Sequence, residues 1–163
     1  MAPRVLIVDD EPDIATGCAR FLKQIVLDSI LAFSVESAIP LMRSHGLALL
    51  LTDVVFPNGR DGFELVEHVR KHSPLTPVIL MSGYHSPAME AQTRDAGASF
   101  LRKPFSGEQL ISTVRSILRR EAWSPLGLSR SARVRFFQKL IRTLHRLPRE
   151  VDGVSRRGTP HHS

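Results

Sequence analysis

At 163 residues, with 42% hydrophobic side chains and a single cysteine, Cys18, the chain has room for one domain with a real core plus an appendage, and it can form no internal disulfide. Its net charge of +6 is unevenly spread: residues 1–123 carry 13 Lys and Arg against 14 Asp and Glu, whereas residues 124–163 carry 9 against 2, so the main domain offers no polycation to nucleic acid. The apolar run Val5 to Val8 is too short for a signal-peptide core, and the longest apolar stretch, Leu47 to Phe56, is broken by Asp53 and far short of the ~20 residues of a membrane span, which together point to a cytoplasmic protein.

Five apolar or β-branched runs follow one another along the chain: Arg4 to Val8, Ser29 to Phe33, Leu47 to Thr52, Pro77 to Met81 and Ser99 to Arg102. Segments of helical period separate and follow them, over about 12–25, 36–45, 62–72, 87–96 and 106–121. Runs that are apolar throughout suit strands buried on both faces, so this βα repeat predicts a parallel sheet sandwiched by helices. Ser106, followed by Glu108 and Gln109, reads as a helix start, and Gly97 as a helix stop. Pro40 removes a helical hydrogen bond and clashes with the preceding turn, which predicts a short or bent second helix.

Open parallel sheets bind ligands beyond the carboxyl ends of their strands, where the connections change face. Asp9 and Asp10 directly follow the first run, Asp53 ends the third, Ser82 the fourth and Lys103 the fifth. Three carboxylates, a hydroxyl and an ammonium therefore converge on one edge. Clustered acids repel, and hard oxygen ligands with coordination sites left to water suit Mg²⁺. With that charge offset, one carboxylate can act as a nucleophile toward phosphorus, Lys103 can balance the phosphoryl oxygens, and Ser82 can donate a hydrogen bond.

VLIVDDEP at 5–12, LLTDVVFPNGRDG at 50–62, LMSGY at 80–84 and FLRKPF at 100–105 resemble, in order and spacing, the motif regions of the bacterial response-regulator receiver family. The resemblance covers residues 4–121 and implies an α/β, doubly wound, five-stranded parallel sheet of the flavodoxin-like type. It further implies a two-component signalling switch that catalyses only its own phosphotransfer and slow autodephosphorylation. Asp53 is then the phosphoacceptor, Asp10 a direct Mg²⁺ ligand, Asp9 a ligand through water, and the Val55 carbonyl the remaining protein ligand beside Asp53. Ser82 and Lys103 take the hydroxyl and lysine roles, with Pro104 after the lysine. The implied partners are a histidine kinase or histidine phosphotransfer protein, a downstream protein target, and a second copy of the chain. Two features depart from the commonest pattern. The loop after Asp53 is one residue longer, and the aromatic switch position holds Phe100, which lacks a hydroxyl and so switches by packing if it is not simply a core aromatic.

Rival readings are weaker on the residues. A phosphatase of the haloacid-dehalogenase type needs a second Asp two residues after the nucleophile, and position 55 is Val. A truncated DNA-binding transcription regulator or a phosphate sink remain alternatives, although only 42 residues follow Glu121, too few for the usual trihelical output domain. His68 and His72 lie four apart on a helix but lack the Glu of HExxH and an evident third ligand, so a solvated helix face is expected there. Gly62 and Gly97 read simply as helix boundaries.

After a linker over 122–130, residues 131–147 show a strong helical period. Val134, Phe136, Phe137, Leu140, Ile141, Leu144 and Leu147 fall within an arc of about 160°, opposite Arg135, Lys139, Arg142 and Arg146. This basic amphipathic helix is expected to dock through Phe137, Leu140, Ile141 and Leu144 on its own domain, a second copy or a partner protein, ahead of an anionic membrane surface or nucleic acid. Pro148 ends it, and residues 148–163 have the composition of a disordered tail.

Overall fold

The computed structural model describes residues 3–44 and 46–123. Strands β1 (Arg4–Val8), β2 (Asp28–Ala32), β3 (Leu47–Asp53), β4 (Val78–Ser82) and β5 (Ser99–Arg102) alternate with helices α1 (Pro12–Lys23), α2 (Val35–Ser44), α3 (Gly62–His72), α4 (Pro87–Asp95) and α5 (Gly107–Trp123). The strands form one parallel sheet in the order β2-β1-β3-β4-β5, as the βα repeat predicts. Each expected element is present within a few residues of its expected bounds. α5 continues through Trp123, past the expected end at residue 121. The rest of the expected linker, the 131–147 helix and the 148–163 tail lie outside the described residues. Among the described residues no helix is long and apolar enough to cross a membrane.

Alternation along the strands divides the core. Val5 and Ile7 of β1, with Leu49 and Leu51 of β3 and Ile79 and Met81 of β4, face α1 and α5. Their neighbours Leu6, Val8, Leu50, Val78 and Leu80 face α2 and α3. Successive side chains of a strand point to opposite faces, so a central strand covered on both sides must be apolar at every position. β4 is buried along its whole length, while the edge strand β2 is largely half-buried.

Helix starts follow local chemistry. The Asp61 side chain accepts from the Phe63 and Glu64 amides at the start of α3, and Glu64 reaches back to the Asp61 amide to complete a capping box. Ser106 and Gln109 exchange the equivalent bonds ahead of α5, at 3.1 and 2.8 Å. Pro40 is accommodated inside α2, which spans ten residues against 17 in α5.

Helix ends reveal an anomaly. After α4, Gly97 has φ +67°, its amide bonds the Arg94 carbonyl, and the Ala98 amide bonds the Thr93 carbonyl. These are the two bonds of a Schellman motif, which needs a left-handed residue at that position. Arg70 reinforces this end by donating to the Ala96 and Gly97 carbonyls at 3.2 and 2.6 Å, a cation at a helix C-terminus. After α1 the same two bonds recur, Val26 to Lys23 and Leu27 to Leu22, but the left-handed residue is Val26 at φ 59°. A β-branched side chain in that region is strained, and the burial of Leu22 and Leu27 on either side holds it there.

Gly62 does more than begin a helix. A Cβ built on it would overlap the Asp53 carbonyl oxygen and crowd Leu80, and its amide donates to the Val54 carbonyl at 2.7 Å. Only a residue without a side chain lets α3 start directly against the end of β3.

Two stability predictions follow from these backbone positions. Val26→Gly should gain about 0.5–1 kcal/mol and Gly97→Ala should lose about 1 kcal/mol in urea unfolding, because the φ preference is the largest change at each site. Equal effects of the same sign would contradict this account. Gly62→Ala should cost more than about 2 kcal/mol, since the obstacle is backbone, and amide shifts around Asp53 should move with it. A Gly62→Ala protein as stable as the parent would show that β3 and α3 separate easily.

Candidate functional site

The strand register assembles the acidic edge. Val8 pairs with Thr52, so Asp9, the next residue of β1, lies beside Asp53 at the end of β3. Asp53 pairs with Met81 and Ser82 with Arg102, which carries Ser82 and Lys103 to the same edge. The Lys103 amide donates to the Ser82 carbonyl at 2.8 Å, and the Lys103–Pro104 peptide bond is cis. The register of β1 on β3 shifts by one residue between Arg4 and Val5, so that Ala48 is passed over. Without that shift Asp9 would face Thr52.

The Lys103 ammonium lies 2.8 Å from Asp9 Oδ2 and 2.6 Å from Asp53 Oδ2. Asp9 is fully buried, Asp53 and Ser82 are buried, and Asp10 is half-buried. Asp9 Oδ1 accepts from the Glu11 amide at 3.0 Å, and Asp53 Oδ1 accepts from the Val54 amide at 2.6 Å and more loosely from the Val55 amide at 3.4 Å. Burial pushes the Asp9 carboxyl above its ordinary value, against the lowering pull of its hydrogen bonds to Lys103 and Glu11. Burial would lower Lys103, but its hydrogen bonds to Asp53 and Asp9, together with their charges, hold the ammonium above its ordinary value. Cys18, under the same edge, is inert: burial pushes its thiol up to about 11, with the Asp9 charge adding to the effect.

Asp9, Asp10 and Asp53 each offer a carboxylate oxygen, and these atoms lie within 4.8 Å of one another. A hard cation with bonds of about 2.0–2.1 Å and several waters fits that donor set after small carboxylate rotations. One ammonium facing three carboxylates leaves the edge short of positive charge, which favours such an ion.

The loop between β3 and α3 is longer than usual and well tied. The Phe56 amide bonds the Arg60 carbonyl at 3.1 Å, Gly59 turns the chain at φ +71°, and Val55 bridges to Asp61. Arg60 then joins the loop to two helices, at 3.0 Å to Glu36 of α2 and 2.6 Å to Glu64 of α3. Neither Arg60 nor the close approach at Gly62 was expected from the sequence, although the Asp61 and Glu64 spacing already signals the capping box that places them. The Val55 and Tyr84 side chains are 61% and 65% exposed. The Tyr84 amide donates to Ser82 Oγ at 3.1 Å. Phe100 is half-buried on β5 with its ring against His85, centroids 5.8 Å apart, and His85 pairs with Glu90 at 2.7 Å. His68 is not on the solvated face expected of it. It is half-buried and lines a cavity at the other end of the sheet. Phe137, Leu140, Ile141 and Leu144 lie outside the described residues.

Comparison with known proteins agrees with this geometry. The family model of the response regulator receiver domain matches residues 5–115. The response regulator protein PilR of Pseudomonas aeruginosa is 37% identical over 117 residues, which is 71% of this chain and 26% of PilR, so the chain spans about a quarter of that relative. Among solved structures, chemotaxis protein CheY4 of Vibrio cholerae superposes with a TM-score of 0.67 at 27% identity, over 72% of this chain and 99% of that one. The beryllofluoride-activated NtrC4 receiver domain dimer gives 0.68 at 28% identity, over 72% and 98%. With the family model spanning most of the sheet and its helices, and the carboxylates and lysine gathered at the carboxyl edge, the chain belongs to the response regulator receiver domain family.

Proposed function

We propose that the chain takes a phosphoryl group on Asp53 from a histidine kinase or a histidine phosphotransfer protein and relays the change through protein contacts. The observation that carries this is the Lys103 ammonium held within 2.8 Å of both Asp9 and Asp53, beside a buried Ser82. In the transfer, an Asp53 carboxylate oxygen forms the new bond to phosphorus as the phosphorus to nitrogen bond of the donor imidazole breaks. The electron pair returns to that nitrogen, which regains a proton. Lys103, already 2.6 Å from Asp53 Oδ2, follows the negative charge onto the phosphoryl oxygens, and the Ser82 hydroxyl donates to one of them. Asp9, Asp10, Asp53 and the Val55 carbonyl would hold Mg²⁺, which would offset negative charge around the phosphoryl group. The neighbouring NtrC4 receiver is a dimer in its activated form, which supports a second copy of this chain as one partner. Phe100 and Ser82 form the switch pair, with His85 as the packing partner of Phe100.

Asp53→Asn should abolish acid-labile phosphate incorporation from a small phosphodonor while the circular dichroism spectrum and unfolding midpoint persist; undiminished labelling would place the acceptor elsewhere.

Lifetime depends on a water in line with the bond from Asp53 to phosphorus. By the family resemblance Val55 and Tyr84, two residues after Asp53 and after Ser82, flank that approach; both are exposed, one apolar and one bulky, and neither offers a carboxamide or carboxylate to orient the water. The phosphorylated form is therefore long-lived. Val55→Asn combined with Tyr84→Glu should speed loss of phosphate by about tenfold or more, followed by quench-and-gel time courses, whereas an unchanged or slower rate would sink the idea.

Metal dependence has a definite sign with pH. Asp9 titrates above its ordinary 3.8 in the folded chain, so without metal it contributes stability at low pH that is lost as pH rises through the raised value. Mg²⁺ restores stability where Asp9 is ionised, and protons compete with it below. Thermal melts should show a Tm gain from MgCl₂ at about pH 7.5 that shrinks at about pH 4.5, and a gain independent of pH would contradict the site.

A further inference from the structure

A second site lies at the opposite end of the sheet. A cavity of about 500 Å³ opens between the last turns of α2 and α3, beside Leu47, the first residue of β3. β3 separates it from Asp53 by roughly 20 Å at the usual rise per residue. Met42, Leu47 and Val69 supply apolar wall, while Arg43, His68 and His72 supply nitrogen, and among the described residues no carboxylate lines the cavity. His68 Nε2 is buried and has no hydrogen-bond partner among the described residues, an uncommon state for a polar atom of a folded domain. The His72 ring stands beside that of His68, centroids 4.4 Å apart. Every charge that acts on His68 is positive, those of His72, Arg43 and Lys71, and together with burial they hold its imidazole below the ordinary value. The carbonyl ends of the two helices contribute only about half a negative charge each, against Arg43 in the last turn of α2 and Arg70, Lys71 and His72 in the last turn of α3.

From this arrangement we infer that the cavity binds a small organic anion, its carboxylate or phosphate-type head held by Arg43, His68 and His72 and its apolar body against Met42, Leu47 and Val69. A guanidinium offers two parallel N–H groups to the oxygens of such a head, and each imidazole can donate a further hydrogen bond. The head also gives the unpartnered imidazole the acceptor that the fold withholds from it. Histidines four apart on a helix share one face, so both can turn toward the same oxygens. The volume falls within the roughly 300–1,000 Å³ of ordinary small-molecule sites, well beyond what a bare inorganic ion fills, and the apolar wall suits the remainder of the molecule. A negative ligand also relieves the mutual repulsion of Arg43, Lys71 and the two imidazoles. It thereby opposes the charges that depress His68, so that binding takes up a proton as pH falls toward the imidazole range.

The test follows the full chain by NMR, without Mg²⁺ and in about 0.15 M NaCl to screen the basic tail. Phenylphosphonate, benzoate, benzamide and inorganic phosphate are titrated in turn, none of them able to transfer a phosphoryl group to Asp53. Phenylphosphonate or benzoate should move the imidazole resonances of His68 and His72 together and saturate, with a Kd on the order of 0.1–1 mM, and the tighter of the two names the head. Benzamide, neutral and of similar shape to benzoate, should leave both resonances in place. Inorganic phosphate should bind at least about tenfold more weakly than the tighter acid, for want of an apolar body. Arg43→Gln and His72→Gln, both at exposed positions, should each weaken binding by about tenfold while the Tm of the unliganded chain persists. Benzoate should bind about threefold or more tightly at about pH 6 than at about pH 7.5. The Ser82 and Lys103 amides should stay in place, which separates this site from the acidic edge. The assignment fails if neither acid moves the two imidazoles, if benzamide binds as tightly as benzoate, or if both substitutions leave binding unchanged. Inorganic phosphate bound as tightly as the better acid would overturn the apolar body and with it the inference.

Discussion

The repulsion among carboxylates at one sheet edge, relieved by a single ammonium, is the constraint on which the site depends. Asp9 and Asp53 sit on adjacent strands because β1 lies between β2 and β3, and Lys103 reaches both from β5. Placing two acids side by side in a half-dry edge is unfavourable unless positive charge stands beside them. The fold meets that requirement with Lys103, whose amide is tied to the end of β4 through the Ser82 carbonyl. Burial raises Asp9 even so, outweighing the pull of Lys103, with the Asp53 charge adding a little. A further cation is the species whose charge suits what remains.

Precision at Asp53 comes from backbone packing. Gly62 lets α3 begin against the Asp53 carbonyl, and the Val54 amide and carbonyl are fixed by Met81 and Gly62, so the nucleophile candidate is held from three directions. The extra loop residue does not loosen this. Its turn closes on itself through Phe56 and Arg60, and Arg60 spends its guanidinium on Glu36 and Glu64, which ties the loop to α2 as well as α3. Surface ion pairs of this exposure add little stability, but a planar guanidinium shared between two helices restricts where the loop can go. Arg60 thereby connects the loop to the start of α2.

The two ends of the sheet differ in chemistry. The carboxyl edge gathers acids and a lysine, whereas the amino edge gathers histidines and arginine around an apolar cavity. The cavity at the amino edge lies between the ends of α2 and α3, and Arg60 links the beginnings of those same helices to the loop beside Asp53. The helix pair thus touches both places, while the excess positive charge of the chain lies in residues 124–163.

Much of this was legible in the sequence because strand and helix periods, and the residues that punctuate them, are local properties. Uniformly apolar runs announced a parallel sheet covered on both faces, and the rule that ligands gather at carboxyl ends selected Asp9, Asp10, Asp53, Ser82 and Lys103 without coordinates. Three things needed the tertiary structure. The one-residue register shift at Ala48, which sets Asp9 beside Asp53, depends on how two strands 40 residues apart slide past each other. Gly62 reads as an ordinary helix start until the Asp53 carbonyl is seen to occupy the place of its missing Cβ. His68 sits at a position where helical period alone predicts solvent, yet the end of α2 and the start of β3 flank it in a cavity and leave it half-buried. Period reports which face a residue takes on its own helix; what covers that face is decided by elements distant in sequence, and that is where the surroundings of a half-buried imidazole or a forbidden Cβ are settled.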